Sequence, residues 1–267
     1  MLRSLMDLNG YKMSASDGDV GRVVNVLFDD RHWTVRYVVV GTGTLHDVLH
    51  TLISTSFFRQ IDWATQRLHL ALTKDAILRS PSIDADQPVT RRHEQDSHGH
   101  YGYPGYWESS GAQSVERHPL ASAGRLNTPR PEHVTAAHDV HLRSVSDLRG
   151  CHIQGSDGAI GHVDDVIADD ETWTVRYLVV ETSTWWLDKK VLIAPRWASD
   201  VTWKDRRVHV NLSREEIKNS PEWTATDPVN RAYEERLYDY YGRPVYWQHD
   251  ERQEAGQVEN HPGIHLP

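Results

Sequence analysis

The chain has 267 residues with 29 Lys and Arg against 38 Asp and Glu, a formal charge of −9 and a pI near 6.0, a balance that offers no global attraction for nucleic acid or anionic lipid. One cysteine, Cys151, excludes an intrachain disulfide and fits a reducing compartment. Met1 to Ala15 holds no apolar stretch long enough for a signal peptide, and no window approaches the ~20 apolar residues of a membrane span, so the expected location is cytoplasmic, with peripheral membrane association left open.

The chain writes one hairpin twice. Val23 to Val40 (VVNVLFDDRHWTVRYVVV) returns as Val163 to Val180 (VDDVIADDETWTVRYLVV), and the offset of 140 residues holds without a gap from Arg3/Arg143 to Trp107/Trp247. Roughly two positions in five are identical, which is the signature of a tandem duplication.

In chain order, Asp17-Gly18 and Asp157-Gly158 each lie between apolar runs, and Asp-Gly is a strong hairpin signal because glycine accepts the positive φ of a tight turn. Strand one is therefore expected over Tyr11 to Ser14 and strand two over Val20 to Phe28. Gly21 and Gly161 fall inside strand two and predict a bulge or bend there. Asp29-Asp30 turns the chain into a third strand, Trp33 to Val40. Leu52 to Ser54, Phe57 to Asp62 and Arg67 to Leu70 follow, matched by Leu192 to Ala194, Trp197 to Thr202 and Arg207 to Val210. That gives about six short strands per copy, and a small closed barrel satisfies such a unit best because it removes exposed edges. The fold class is thus mainly β, with two small barrels each followed by short helices.

Thr73 to Ser80 reads as a short helix stopped by Pro81, and Ser213 to Glu216 as a capping box stopped by Pro221. Asp227-Pro228 ahead of VNRAYEERLYDYYG predicts a second helix with an acid at its N-cap and Gly242 at its end. Its equivalent, Pro88 to Tyr101, is interrupted by Ser97-His98-Gly99-His100 and is expected to be shorter or frayed. The organisation that follows is a first repeat over 1–107, a flexible linker over 108–137, a second repeat over 138–250 and a flexible tail over 251–267.

These residues resemble the PRC-barrel family, named for the cytoplasmic domain of the photosynthetic reaction centre H subunit. The resemblance is carried by Asp17-Gly18, Gly21, Val23, Asp29, the Trp33 to Val40 strand, Leu52-Ile53, Ile61-Asp62 and Ser80-Pro81. Their partners are Asp157-Gly158, Gly161, Val163, Asp169, Trp173 to Val180, Leu192 to Pro195 and Ser220-Pro221. The resemblance covers roughly residues 3–82 and 143–222, and it implies a six-stranded barrel that serves as an assembly or adaptor module. One member caps a photosynthetic membrane complex and another accompanies a ribosome-binding domain. The amino-terminal membrane helix of the first and the additional domain of the second have no counterpart in this sequence.

No constellation of catalytic residues emerges. His93, His98 and His100 suggest a transition-metal site, but the same positions in the copy are Tyr233, Tyr238 and Tyr240, so a polar, solvated helix face is the expectation and no metal or cofactor is assigned. His69 and His209 share a place in strand six and are read as half-buried structural residues rather than a proton relay. Asp29-Asp30 and Asp169-Asp170 are adjacent turn residues whose carboxyl groups point apart, and Arg36 and Arg176 pair with strand neighbours. Cys151 answers to Tyr11, which suggests packing. The two copies differ most after strand three, where Gly43 to Asp47 stands against Ser183 to Lys190. Trp185, Trp186, Lys189 and Lys190, together with the aromatic motifs ending in Tyr106-Trp107 and Tyr246-Trp247, are the candidate partner-binding residues. Each aromatic motif is expected either to dock on its own barrel or to clasp the other, with the two barrels pairing as an internal dimer. The function expected is a non-catalytic adaptor for protein partners, with a photosynthetic or electron-transport complex as the assembly the resemblance implies; the alternative is an RNA- or ribosome-associated factor.

Overall fold

The computed structural model describes residues 1–44, 47–84, 87–107, 141–182, 189–224 and 228–247. The expected linker (108–137) and tail (251–267), Trp185, Trp186 and Asp227 lie outside the described residues. The chain forms two compact units. The first gathers Met1, Arg3–Arg149 and Asp165–Arg176; the second gathers Leu2, Gly150–Asp164 and the described residues from Tyr177 onward. Among the described residues no helix is long and apolar enough to cross a membrane.

The chain opens with β1 (Leu2–Ser4), β2 (Lys12–Ala15), β3 (Gly18–Asp29), β4 (Thr34–Thr44), β5 (Asp47–Ser54), β6 (Phe58–Asp62) and β7 (Arg67–Leu70). Then come α1 (Lys74–Leu78), β8 (Ser82–Ile83), α2 (Arg91–Tyr101), β9 (Leu142–Ser144) and α3 (Val145–Leu148). The repeat of the pattern follows as β10 (His152–Gly155), β11 (Gly158–Asp169), β12 (Val175–Thr182), β13 (Lys190–Ile193), β14 (Ala198–Thr202), β15 (Arg207–Val210), α4 (Arg214–Lys218) and α5 (Arg231–Tyr241).

The fold is mainly β and carries two sheets with the same internal strand order. One runs β6-β7-β2-β3-β4-β5-β8 and the other β13-β12-β11-β10-β15-β14. Both ladders are linear paths: among the described residues no ladder joins β5 to β6, although the chain passes from one to the other through a single turn at Thr55–Phe57. Each also contains a parallel pair, β2 with β7 and β10 with β15, beside antiparallel ones.

The expected bends are present. The register of β2 against β3 slips between Met13 and Ser14, leaving Val20 as the extra residue beside Gly21, and β10 against β11 slips at the matching place beside Gly161. The glycines are required by close approach. A Cβ on Gly21 would lie 2.3 Å from the Gly41 carbonyl oxygen, and one on Gly161 would lie 2.0 Å from that of Glu181.

Inward side chains of these strands make the core. Val26, Phe28, Val38, Val40 and Ile53 are buried in the first unit, and Val163, Val179, Leu192 and Ile193 in the second. Asp29 and Asp30 do point apart. Asp29 accepts from the backbone N–H of Arg31, contacts His32 Nδ1 at 2.8 Å and pairs with Arg36 at 3.5 Å, while Asp30 accepts from Arg143 Nε at 2.9 Å. Burial pushes the Asp29 carboxyl up, but His32, the Arg31 N–H and Arg36 together hold it below the ordinary carboxylate range. Arg176 pairs with Asp169 at 3.9 Å, as expected.

Two helix expectations need correction. The N-cap of α5 is Asn230, whose side chain accepts from the Tyr233 N–H, so the helix starts after the Asp227-Pro228 signal rather than on it. Nor is α2 shortened: it runs 11 residues, as many as α5, and ends on a left-handed Gly102 just as α5 ends on Gly242. Helix propensity loses here to packing, because Ser97 and His98 are buried against the sheet and Ser97 Oγ donates to the Leu52 carbonyl.

The close approaches at the two bends give a stability prediction. Gly21→Ala and Gly161→Ala each push a methyl into a backbone carbonyl that cannot swing away, and each is expected to cost about 1–3 kcal/mol in urea denaturation. Gly99→Ala, in a helix and in open space, is expected to stabilise α2 slightly.

Candidate functional site

The inward face of α2 carries residues 94, 97, 98 and 101, and that of α5 carries 234, 237, 238 and 241, the spacing of a helix stripe turned to a core. Both stripes begin with a glutamate. Glu94 is 0% exposed and Glu234 is 3% exposed, although glutamate is among the residues least often buried without a partner.

In the second unit Glu234 Oε1 accepts from two phenols, Tyr177 on β12 and Tyr246 beyond α5, both at 2.8 Å, and Arg231 lies 3.3 Å from its other oxygen. The aromatic motif is thereby fixed on its own helix. Arg231 also covers the Trp247 ring at 3.9 Å. Trp197 packs against Tyr238 and Tyr241, with ring centroids 5.4 and 4.8 Å apart.

The first unit repeats the plan with different donors. Tyr106 donates to Glu94 Oε1 at 2.8 Å, Arg91 pairs with Oε2 at 2.8 Å, and His141 Nε2 is 3.4 Å from the same oxygen. His141 Nε2 also takes the Arg91 guanidinium at 3.0 Å and meets the Tyr106 hydroxyl at 2.6 Å. Arg36 lies 4.1 Å over the Tyr106 ring and Arg91 lies 4.2 Å over Trp107. Tyr37 on β4 meets His98 Nε2 at 2.7 Å, where the second unit has a tyrosine–glutamate bond.

Burial, followed by the nearby glutamate, pushes the Tyr37 and Tyr106 hydroxyls well above their ordinary range. Burial followed by Tyr238 and then Glu234 does the same for Tyr177. These groups therefore remain phenols and serve as hydrogen-bond donors, so the chemistry of each cluster is fastening.

The histidine expectation is met in part. His93 completes a capping box with Thr90 at the start of α2, and His100 bonds the Ala76 carbonyl. His98 contradicts the expected solvated face because it is buried and bonded on both ring nitrogens. Among the described residues no three of His, Cys, Asp and Glu gather as a metal-binding group. His69 and His209 are half-buried on β7 and β15, and Cys151 is buried in the core like Tyr11.

Of the candidate partner-binding residues, Tyr246 is buried and Tyr106, Trp107 and Trp247 are half-buried in contacts within their own unit, which favours the docking alternative over the clasp. Lys189 donates to the carbonyls of Lys218 and Ser220 at the end of α4, and burial, partly offset by Glu222, lowers its pKa. Lys190 pairs with Asp164 at 2.6 Å.

Two of the equivalent positions in the first unit are apolar and open, while His50 stands opposite Lys190. Val24 stands where the copy has Asp164, Leu49 where it has Lys189, and Val48 precedes Leu49; they are 42%, 48% and 47% exposed. Val24 and Val48 close over Gly41, where a Cβ would lie 3.0 and 3.4 Å from their Cγ1 atoms. The scaffold thus presents a charged edge in one unit and a greasy edge in the other. Reasoning from sequence missed both this contrast and the two glutamates, and each could have been found by aligning the copies residue by residue.

The phenol clusters yield a pH prediction. A tyrosine whose folded pKa is raised gives stability that is complete below the unfolded value near ~10 and is lost as pH rises past it. In a spectrophotometric titration at alkaline pH, Tyr37, Tyr106 and Tyr177 should stay silent until the protein unfolds, and Tyr37→Phe, Tyr106→Phe and Tyr177→Phe should each remove one phenol from that unfolding step.

Compared with known proteins, residues 141–217 match the PRC-barrel domain family. No curated protein matches the chain.

Proposed function

We propose that the chain is a tandem pair of six-stranded PRC-type barrels, over residues 1–107 and 138–250, acting as a non-catalytic adaptor that binds protein partners in the cytoplasm. The family match over 141–217 carries this reading. It extends to the first unit through the shared strand order and through the buried glutamate fastened to a tyrosine of the aromatic motif in both copies. Barrel closure is supported by chain order: β13 and β14, the two ends of the second path, are consecutive, and in the first path β5, next to the terminal β8, leads through Thr55–Phe57 directly into β6 at the opposite end.

A binding role, rather than a reaction, is favoured by what the ionisable groups do. The buried glutamates and phenols hold helix and tail to the sheet, and the first Asp-Asp turn engages its carboxyl groups with the Arg31 N–H and the Arg143 side chain. The copies also differ at their outer edge. The Val24, Val48 and Leu49 edge would take an apolar protein surface, and the edge carrying Lys189 and Lys190 would add a charged contact. A photosynthetic or electron-transport complex is the assembly suggested by the family resemblance.

The full chain and a variant bearing Val24→Asp and Leu49→Lys, the residues of the second copy, should be used in parallel for affinity capture. The reading predicts a defined protein that the native chain recovers and the variant loses, with stability changed by no more than about 0.5 kcal/mol. Equal recovery by both, or recovery of RNA in place of protein, would overturn it.

A further inference from the structure

His98 is held from two sides in a way that fixes its protons. Its Nδ1 lies 3.1 Å from the carbonyl oxygens of both Tyr103 and Pro104, which can only accept, so Nδ1 carries a hydrogen. In the neutral ring Nε2 is then an acceptor, and the Tyr37 hydroxyl 2.7 Å away must donate to it. Burial and then the nearby Glu94 together hold the pKa of that hydroxyl up. In the second unit the corresponding phenol, Tyr177, donates to Glu234 and a tyrosine, Tyr238, replaces the histidine.

We propose that His98 is a proton-operated latch on the aromatic motif of the first unit: a proton taken from solvent at Nε2 turns the Tyr37 hydroxyl from the imidazole to the Glu94 carboxyl and makes the bonds to the Tyr103 and Pro104 carbonyls charge-assisted. The segment Tyr103 to Trp107 is therefore held more firmly in acid than at alkaline pH. Charge-assisted hydrogen bonds are roughly twice as strong as neutral ones, so the direction follows from the donors alone.

The groups facing His98 are consistent with a cation there. From β4 comes the Tyr37 hydroxyl, from α2 itself Glu94, and from the segment beyond α2 two carbonyl oxygens and the Trp107 ring at 4.9 Å. Arg91 and His141 lie on the far side of Glu94, and Arg36 lies over the Tyr106 ring. His141 is thus the competing source of any pH response; it acts on Arg91, Tyr106 and Glu94, whereas His98 holds the Tyr103 and Pro104 carbonyls, so the His98 variants separate the two.

The test is amide hydrogen exchange on the full chain, corrected for intrinsic rates, at about pH 5.5 and about pH 8, the span over which imidazoles change charge. The amides of Gly105 to Trp107 should gain about five-fold protection at the lower pH. The matching segment Val245 to Trp247 should not change. His98→Tyr should abolish the gain, and His98→Gln, which keeps a donor without a titrating ring, provides a second variant should the first fail to fold. Nitrogen-15 shifts of the His98 ring should show hydrogen on Nδ1 alone at the higher pH. A gain that persists in both variants, no gain in the native chain, or a ring protonated on Nε2 alone would each overturn the proposal.

Discussion

A carboxyl group taken wholly out of water without partners costs several kcal/mol, and each unit buries a helix glutamate that must therefore be given partners. Much of the architecture around Glu94 and Glu234 follows from that constraint. The helix must present the glutamate to a strand tyrosine or to its neighbours, an arginine three residues earlier must reach back over it, and a second tyrosine must return from beyond the helix C-terminus. Gly102 and Gly242, both left-handed, turn the chain so that this return is possible. The aromatic motif is therefore part of each folded unit rather than an appendage to it, and its rings are further clamped by arginines lying on their faces.

Much of the fold could be read in the residues, because hairpin chemistry is local. Asp17-Gly18, Asp157-Gly158 and the Asp-Asp turns mark strand ends within a few residues of where they fall, and Thr73 and Ser213 cap α1 and α4 as expected. Gly21 and Gly161 announce bends that the register shifts confirm. Where the reading failed, a tertiary contact had overridden a local preference. Ser97-His98-Gly99-His100 looks like a helix breaker, yet buried bonds from Ser97 and His98 hold α2 to full length. The buried glutamates were missed because charge was taken to mean surface, although both occupy the first position of an otherwise inward stripe and are identical in the two copies. Strand pairing, including the parallel partners of β2 and β10, depends on contacts distant in sequence and left no local mark.

With the interior so similar, the differences between the units carry the functional information. A phenol in one cluster is replaced by an imidazole in the other, and an edge carrying Asp164 and Lys189 in one unit carries exposed Val24 and Leu49 in the other. The first change lies on a helix beyond the family match over 141–217, whereas the second lies on β11 and beside β13, within it. A module whose core is fixed and whose edges are free to vary is well suited to holding partners, and two unlike copies in one chain give two unlike contacts for the cost of a single fold.

The central claim, that a buried glutamate fastens sheet, helix and aromatic motif together, is tested most directly by a double-mutant cycle on Glu234→Ala and Tyr177→Phe in urea denaturation. The account predicts a coupling of at least about 1 kcal/mol between the two positions. Additive effects, with a coupling indistinguishable from zero, would contradict it.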